Sequence, residues 1–221
     1  MAYFDFGYFN KDKKINRNVK RSINNKLIAW SLGKEYYDGD RNNGYGGFRY
    51  DKRWMTLLPK IIQKYNLSNK SKILDLGCKK GFIMKDFKLL LPKCDIWGVE
   101  DHEYPIKNAE KNIKSKIVLS DYYEVPFKDK YFDFIIAFSS IYKHNLKDVI
   151  KTIIEINRVS KKSLITVAGY SDDTEKKLFE DWTLLGTTIL HKKEWIQLFK
   201  LLKYKGDYYF TTSKSLGLVR K

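Results

Sequence analysis

Three carboxylates and one glycine turn are the residues of this 221-residue chain whose types and spacing suggest chemistry. The turn reads Asp75-Leu76-Gly77-Cys78-Lys79-Lys80-Gly81 and follows the apolar run KILDL. Glu100 ends a second run, DIWGVE, and Asp121 follows a third, KIVLS (Lys116–Ser120). Open α/β sheets bind ligands outside the carboxyl ends of their strands, where the strand order reverses. Glycines there let the backbone pass close to a ligand. A carboxylate in the turn repels a pyrophosphate but suits a ligand bearing an ammonium group. Glu100 is placed to accept two hydrogen bonds from ribose hydroxyls, and Asp121 to accept from an exocyclic adenine amine. The implied chemistry is recognition of a nucleoside that carries positive charge and no phosphates. No G-K-[ST] follows the turn, so it is not a Walker loop, and the dinucleotide fingerprint G-x-G-x-x-G is missing too.

A second set of reactive side chains lies past the fourth apolar run, in AFSSIYKHNLKD. Tyr142 and His144 stand where an acceptor pocket would open, and a hydroxyl acceptor needs a base beside it. His144 is the first candidate and Tyr142 the second; His102 lies nearer the ribose position, and His191 opens a later helix. The segment Tyr36–Trp54, YYDGDRNNGYGGFRYDKRW, mixes Tyr, Gly and Arg as binding loops do. It reads as a lid over the nucleoside, with Tyr37, Tyr45 and Arg53 as contacts and its aromatic rings excluding water.

The elements that must position these groups alternate. Short apolar runs at KILDL, DIWGV, KIVLS, FDFIIAF (Phe132–Phe138) and KSLITVA (Lys162–Ala168) read as buried parallel strands. Helical patterns fall between them at Gly81–Leu91, Tyr104–Asn112 and Leu146–Val159. Further helices are expected over Trp54–Tyr65, Asp172–Leu185 (with Ser171 as N-cap) and His191–Leu202. The alternation predicts an α/β fold, a doubly wound, mostly parallel sheet of seven strands. The tail DYYFTTSKSLGLVR reads as a closing hairpin. Residues 1–26, with Lys11, Lys13, Lys14, Arg17, Lys20 and Arg21, read as a flexible or loosely docked basic arm. We therefore expect an arm and lid over residues 1–54 and a nucleoside-binding domain over residues 55–221.

Composition bounds the rest. The chain has 43 basic and 26 acidic residues, a net charge of +17 that favours anionic partners: nucleic acid, acidic membrane surfaces or phosphorylated small molecules. The chain is also rich in Lys, Asn, Ile and Tyr together, as codon bias would produce, and its lysines are scattered. There is no apolar run long enough for a membrane span and no secretory pattern at MAYFDFGYFNKDKK. Cys78 and Cys94 are too few and too far apart for a zinc site or disulfide framework, so a reducing cytoplasm is expected. No Asp, Glu and His cluster has metal-ligand spacing.

Residues Ile73–Phe82, ILDLGCKKGF, resemble the glycine-rich first motif of the class I S-adenosylmethionine-dependent methyltransferases. Glu100 in WGVED matches their acid after the second strand, and DYYEVPFKDKYFDFII resembles their third and fourth motifs. The resemblance covers about residues 70 to 170. It implies S-adenosylmethionine as cofactor, held by Asp75, Gly77, Cys78, Lys79, Gly81 and Phe82 at the turn. Glu100 and Asp101 would follow at the second strand, then Asp121 and Tyr122 at the adenine, and Phe138 at the fourth strand. One departure is Lys79, where the usual motif has glycine. The segments Tyr36–Trp54, the helix around Trp182 and His191–Phe210 resemble a bacterial subgroup linked to surface-polysaccharide gene clusters. That resemblance implies a methyltransferase acting on a small polar, anionic metabolite, such as a sugar or a phosphorylated intermediate of capsule or lipopolysaccharide assembly. Two alternatives stay open: a nucleic-acid methyltransferase holding phosphates with the basic arm, and a non-catalytic binding protein that kept the fold.

Overall fold

The runs rich in β-branched and aromatic residues become strands, and the amphipathic stretches between them become helices. A computed structural model describes residues 1–7, 15–16 and 21–219. In chain order the first elements are β1 (Ile15–Asn16), α1 (Ile23–Trp30), α2 (Lys34–Tyr37), α3 (Leu58–Tyr65), β2 (Lys72–Leu76) and α4 (Phe82–Leu90). Next come β3 (Asp95–Glu100), α5 (Glu103–Lys107), β4 (Ile117–Leu119), β5 (Phe134–Ala137), α6 (Leu146–Val159) and β6 (Ser163–Tyr170). The last are α7 (Asp173–Trp182), β7 (Leu190–His191), α8 (Lys192–Leu201), β8 (Asp207–Thr211) and β9 (Leu218–Val219).

Seven strands form one sheet in the order β4-β3-β2-β5-β6, with β7 and β8 both paired to β6. Every one of these pairings is parallel. The chain winds outward from β2 through β3 to β4, then returns to lay β5 on the other side of β2. The order thus reverses between β2 and β5, and a crevice opens beyond their carboxyl ends. Because side chains alternate across a strand, Ile73, Ile96, Phe134, Ile136 and Leu164 face α3 and α4. Leu74, Leu76, Val99, Ile135, Ile165 and Val167 face α6 and α8. Both faces are fully covered, as a parallel sheet requires.

Four expectations are corrected. The tail is not a hairpin: β8 lies parallel to β6, and β9 pairs in parallel with β1. Residues 1–7 and 21–26 of the expected arm are not loosely docked. Tyr3 bridges to Tyr208, the Phe4 amide donates to the Tyr208 carbonyl at 2.9 Å, and Phe6 is buried against Phe138 and Tyr209. Apolar side chains at Phe4 and Phe6 drive that docking. The arm's Lys11, Lys13, Lys14, Arg17 and Lys20 lie outside the described residues. Finally, α7 is capped by Asp172, whose side chain accepts from the Glu175 amide at 2.8 Å, and not by Ser171. The helix expected over Tyr104–Asn112 stops at Lys107 and gives way to turns.

Candidate active site

The tip of β2 delivers Asp75 into the protein, fully buried, with neither carboxylate oxygen hydrogen-bonded among the described residues. Burial, opposed by the nearby Lys79 charge, pushes its pKa up to about 7. An unpaired buried carboxylate costs several kcal/mol in real proteins. The backbone then turns at Gly77, whose φ is +82°. A Cβ there would come within 2.2 Å of the Ser140 Cβ, so only glycine lets the turn pass under the strand β5 loop. Ser140 clamps the same approach, its hydroxyl donating to the Leu76 carbonyl at 2.7 Å. Gly81 ends the turn and leads into α4. Cys78 and Phe82 point into the core; Phe82 stacks on Phe48.

Lys79 takes the left-handed region, φ +55°, at the position where the resembling motif has glycine. Such a conformation costs a non-glycine residue about 1 kcal/mol. Its side chain points into the cleft and not to solvent. The ammonium lies 3.4 Å from the Gly77 carbonyl oxygen and 3.4 Å from that of Phe138. Its amide donates to Glu100 Oε2 at 2.8 Å, joining the turn to the tip of β3.

Glu100 is fully buried at the end of β3, and its other oxygen lies 3.7 Å from Lys143 Nζ. Burial raises its pKa, with Lys143 opposing. Asp101 pairs with Lys143 at 2.6 Å, and His144 Nε2 stands 3.2 Å from its second oxygen. Burial would raise Asp101, but His144 and Lys143 hold it well below the usual carboxylate range. Lys143 also sits 4.9 Å above the ring of Tyr122, whose buried hydroxyl has no partner among the described residues.

The turn after β5 completes the floor. Ser139 donates its amide to Thr166 Oγ1 at 2.7 Å, and Tyr142 is nine-tenths buried with the Ser139 hydroxyl beside its phenol. A cleft of about 340 Å³ opens here, lined by Lys79, Glu100, Tyr122, Ser139, Ser140, Tyr142 and Lys143 from the sheet tips. Trp182 to Gly186 form one wall, and Arg21, Tyr36, Tyr37, Arg41, Gly44, Tyr45 and Arg53 form the roof.

Most of the roof comes from the segment Tyr36–Trp54, which is tied down at several points. Asp38 accepts from Lys80 at 2.7 Å and from the Tyr104 hydroxyl at 2.8 Å, tying the segment to the turn and to α5. Tyr50 donates to Asp86 on α4, and the Trp54 amide to the same carboxylate at 3.2 Å. Tyr37 stacks between Tyr45 and Tyr104, with centroids 5.8 Å away on each side. Gly44 is sterically required, since a Cβ would meet the Tyr36 carbonyl oxygen at 1.9 Å.

The structure thus brings together Lys79, Glu100, Tyr122, Tyr142, Tyr37, Tyr45 and Arg53, with Asp75 and Gly77 at the base of the turn. His144 stands outside the lining, beside Asp101. Asp121 is exposed and outside the lining too. Sequence reasoning missed Arg21, Arg41, Lys143 and Ser140. Only the Ser-Ser pair following an apolar strand was a visible signal.

Residues 74–166 match the family model described as a methyltransferase domain. Over that stretch the chain is similar to a methyltransferase domain. It is 31% identical over 117 residues to a malonyl-[acyl-carrier protein] O-methyltransferase of Legionella pneumophila, covering 51% of this chain and 40% of that protein. It is 28% identical over 123 residues to an uncharacterized methyltransferase of Schizosaccharomyces pombe, covering 49% and 43%. The chain thus spans less than half the length of these curated relatives. The YcgJ protein of Bacillus subtilis shares the fold, with a TM-score of 0.55 at 19% identity over 66% of each chain. Such a domain implies S-adenosylmethionine as methyl donor. The residues present suit it: oxygens of Asp75, Glu100 and Tyr122 that have no hydrogen bond among the described residues lie where the sheet order reverses, as polar atoms do when a ligand completes their hydrogen bonds. Among the described residues no helix is long and apolar enough to cross a membrane, and no group of His, Cys, Asp or Glu could hold a metal ion.

Proposed function

We propose that the protein transfers a methyl group from S-adenosylmethionine to a small polar, anionic acceptor, such as a sugar or a phosphorylated intermediate of surface-polysaccharide assembly. In this reading residues 1–54 act as arm and lid and residues 55–221 as the donor-binding domain. The bound donor supplies an electrophilic methyl carbon on a sulfonium centre. Asp75 sets a negative potential beneath the turn, and Gly77 and Phe138 offer carbonyl oxygens to an ammonium group. Glu100 accepts from ribose hydroxyls, and Tyr122 closes the nucleoside end. Asp101 is held ionised by Lys143 and His144, so it orients Lys143 and leaves His144 a positioning role. Tyr142, inside the lining, is the side chain placed to touch the acceptor. The latched lid excludes water, and alignment of acceptor with methyl carbon accounts for much of the available acceleration.

The single observation that carries the donor half is the buried, unpartnered Asp75 carboxylate at the reversal of strand order. The acceptor half is supported by the cationic roof and by the resemblance of Tyr36–Trp54 to the polysaccharide-linked subgroup. The test is calorimetry with S-adenosylhomocysteine, followed by transfer of labelled methyl groups to sugar phosphates and nucleotide sugars. Micromolar binding with labelled product supports the reading. Absence of binding at millimolar ligand defeats it, and labelling of RNA in place of small molecules would redirect the acceptor half.

A further inference from the structure

The roof of the cleft holds two guanidinium groups with no counter-charge in contact among the described residues. Arg21 is 7% exposed, yet its Nη1 is bonded only to neutral acceptors, the Asn42 carbonyl at 2.9 Å and the Asn42 side-chain oxygen at 3.3 Å. Arg41 bonds the Gly44 carbonyl. Among the described residues neither forms an ion pair. Asp40, whose charge partly offsets that of Arg41 at Arg21, accepts from the Asn42 amide at 2.6 Å and forms no ion pair with either arginine among the described residues. Burial and the neighbouring Arg41 charge both push the Arg21 pKa down, so the two groups repel each other. The other cations of the lining are engaged: Arg53 with Asp51, Lys143 with Asp101, and Lys79 on backbone carbonyls.

A buried arginine held beside a second one, with carbonyls fixing its plane, is an expensive arrangement unless an anion completes it. A guanidinium has five donors, and Arg21 spends one nitrogen on Asn42, which leaves the rest of its fork for a ligand. Two adjacent guanidiniums match a doubly charged, tetrahedral oxyanion better than a single carboxylate. Both residues line the same 340 Å³ cleft as Tyr142, which faces it from the sheet side.

We propose that Arg21 and Arg41 form a phosphate subsite that grips a phosphate ester of the acceptor and aims the rest of the molecule at the sheet tips. The assignment rests on the methyl-transfer reading only for the identity of the ligand; the anion site itself does not. Specificity then comes from the lid, a segment whose conformation Asn42 and Gly44 set. Closing the lid and binding the acceptor become one event, because Asn42 and Arg41 belong to it.

The probe is inorganic phosphate, measured by calorimetry against the full-length protein at low ionic strength, with acetate as the carboxylate control. Wild-type protein is expected to bind phosphate with a millimolar dissociation constant and acetate at least tenfold more weakly. Arg41→Gln, a change at an exposed side chain, should weaken phosphate at least fivefold. Arg21→Lys should do the same while keeping the charge, because an ammonium lacks the fork. S-adenosylhomocysteine affinity should stay within twofold in both variants. Phosphate bound equally by wild type and variants, or not bound at 50-fold dilution of a molar stock (about 20 mM), overturns the subsite; so does acetate binding as tightly as phosphate. Loss of S-adenosylhomocysteine binding in wild type would defeat the methyl-transfer reading and leave the phosphate result standing.

Discussion

Lys79 Nζ and the Phe138 carbonyl oxygen lie 3.4 Å apart across the mouth of the turn. A side chain from one strand tip thereby satisfies a carbonyl from its neighbour, at the place where a ligand ammonium would otherwise do so. On the proposed reading, donor binding displaces this contact.

Replacing Lys79 with glycine should therefore help donor binding. The variant frees two carbonyls and removes a left-handed lysine, which is worth about 1 kcal/mol. S-adenosylhomocysteine should bind three- to tenfold more tightly, and the melting temperature should rise by roughly 2–4 °C. A tenfold loss of affinity would instead mean that the Lys79 ammonium contacts the donor directly.

Asp75 makes stability and donor affinity move in opposite directions with pH. Its folded pKa, about 7, lies above its ordinary value of 3.8. Between those values the folded protein keeps a proton that the unfolded chain has lost, so ligand-free stability falls as pH rises through that window and is level above it. Asp75→Asn removes the penalty. At pH 8 its thermal midpoint should exceed wild type by a few degrees, and at pH 4 the advantage should vanish. Donor affinity of wild type should increase from pH 6 to pH 8, with proton release visible by calorimetry in two buffers, and the variant should show neither.

The latch between Asp38 and Lys80 sets the lid. Lys80 is buried, so Asp38→Ala strands a cation and should cost on the order of 3 kcal/mol. Lys80→Met, which removes the cation itself, should cost less. Limited proteolysis should cut within residues 39–49 faster in the Asp38 variant. Equal cutting in both variants and wild type would show that the aromatic stack alone holds the segment.

Tyr142 and His144 should separate kinetically. Tyr142→Phe should lower kcat about a hundredfold with little change in donor affinity. His144→Gln should act through Asp101 and Lys143, weakening the donor several-fold with kcat nearly kept. A reversal of those two patterns would return the acceptor role to His144.

Strand and helix positions were legible because they depend on local periodicity. KILDL became β2, and Leu146–Val159 became α6 at both ends. Asp75 and Glu100 were legible because a strand end points to the crevice once the strands are known. What escaped was pairing between distant segments. Nothing near Asp207–Thr211 announces that it runs parallel to β6, since either direction suits the same apolar pattern. Lys143 reads as an ordinary surface cation, and Arg21 as one charge of the basic arm, until Glu100, Asp101 and Asn42 are brought beside them. Asp121 fits the expected spacing, yet β4 is only three residues long and the chain after it turns the carboxylate outward.

The contact from the Ala2 amide to the Asp207 carboxylate, 2.9 Å long, joins residues 205 apart in sequence. The sheet margin carrying Phe4 and Phe6 therefore cannot be completed on a ribosome until Asp207 has emerged. Until then those aromatic rings lack their partners on β8, and a nascent chain stalled before Asp207 would offer them to chaperones.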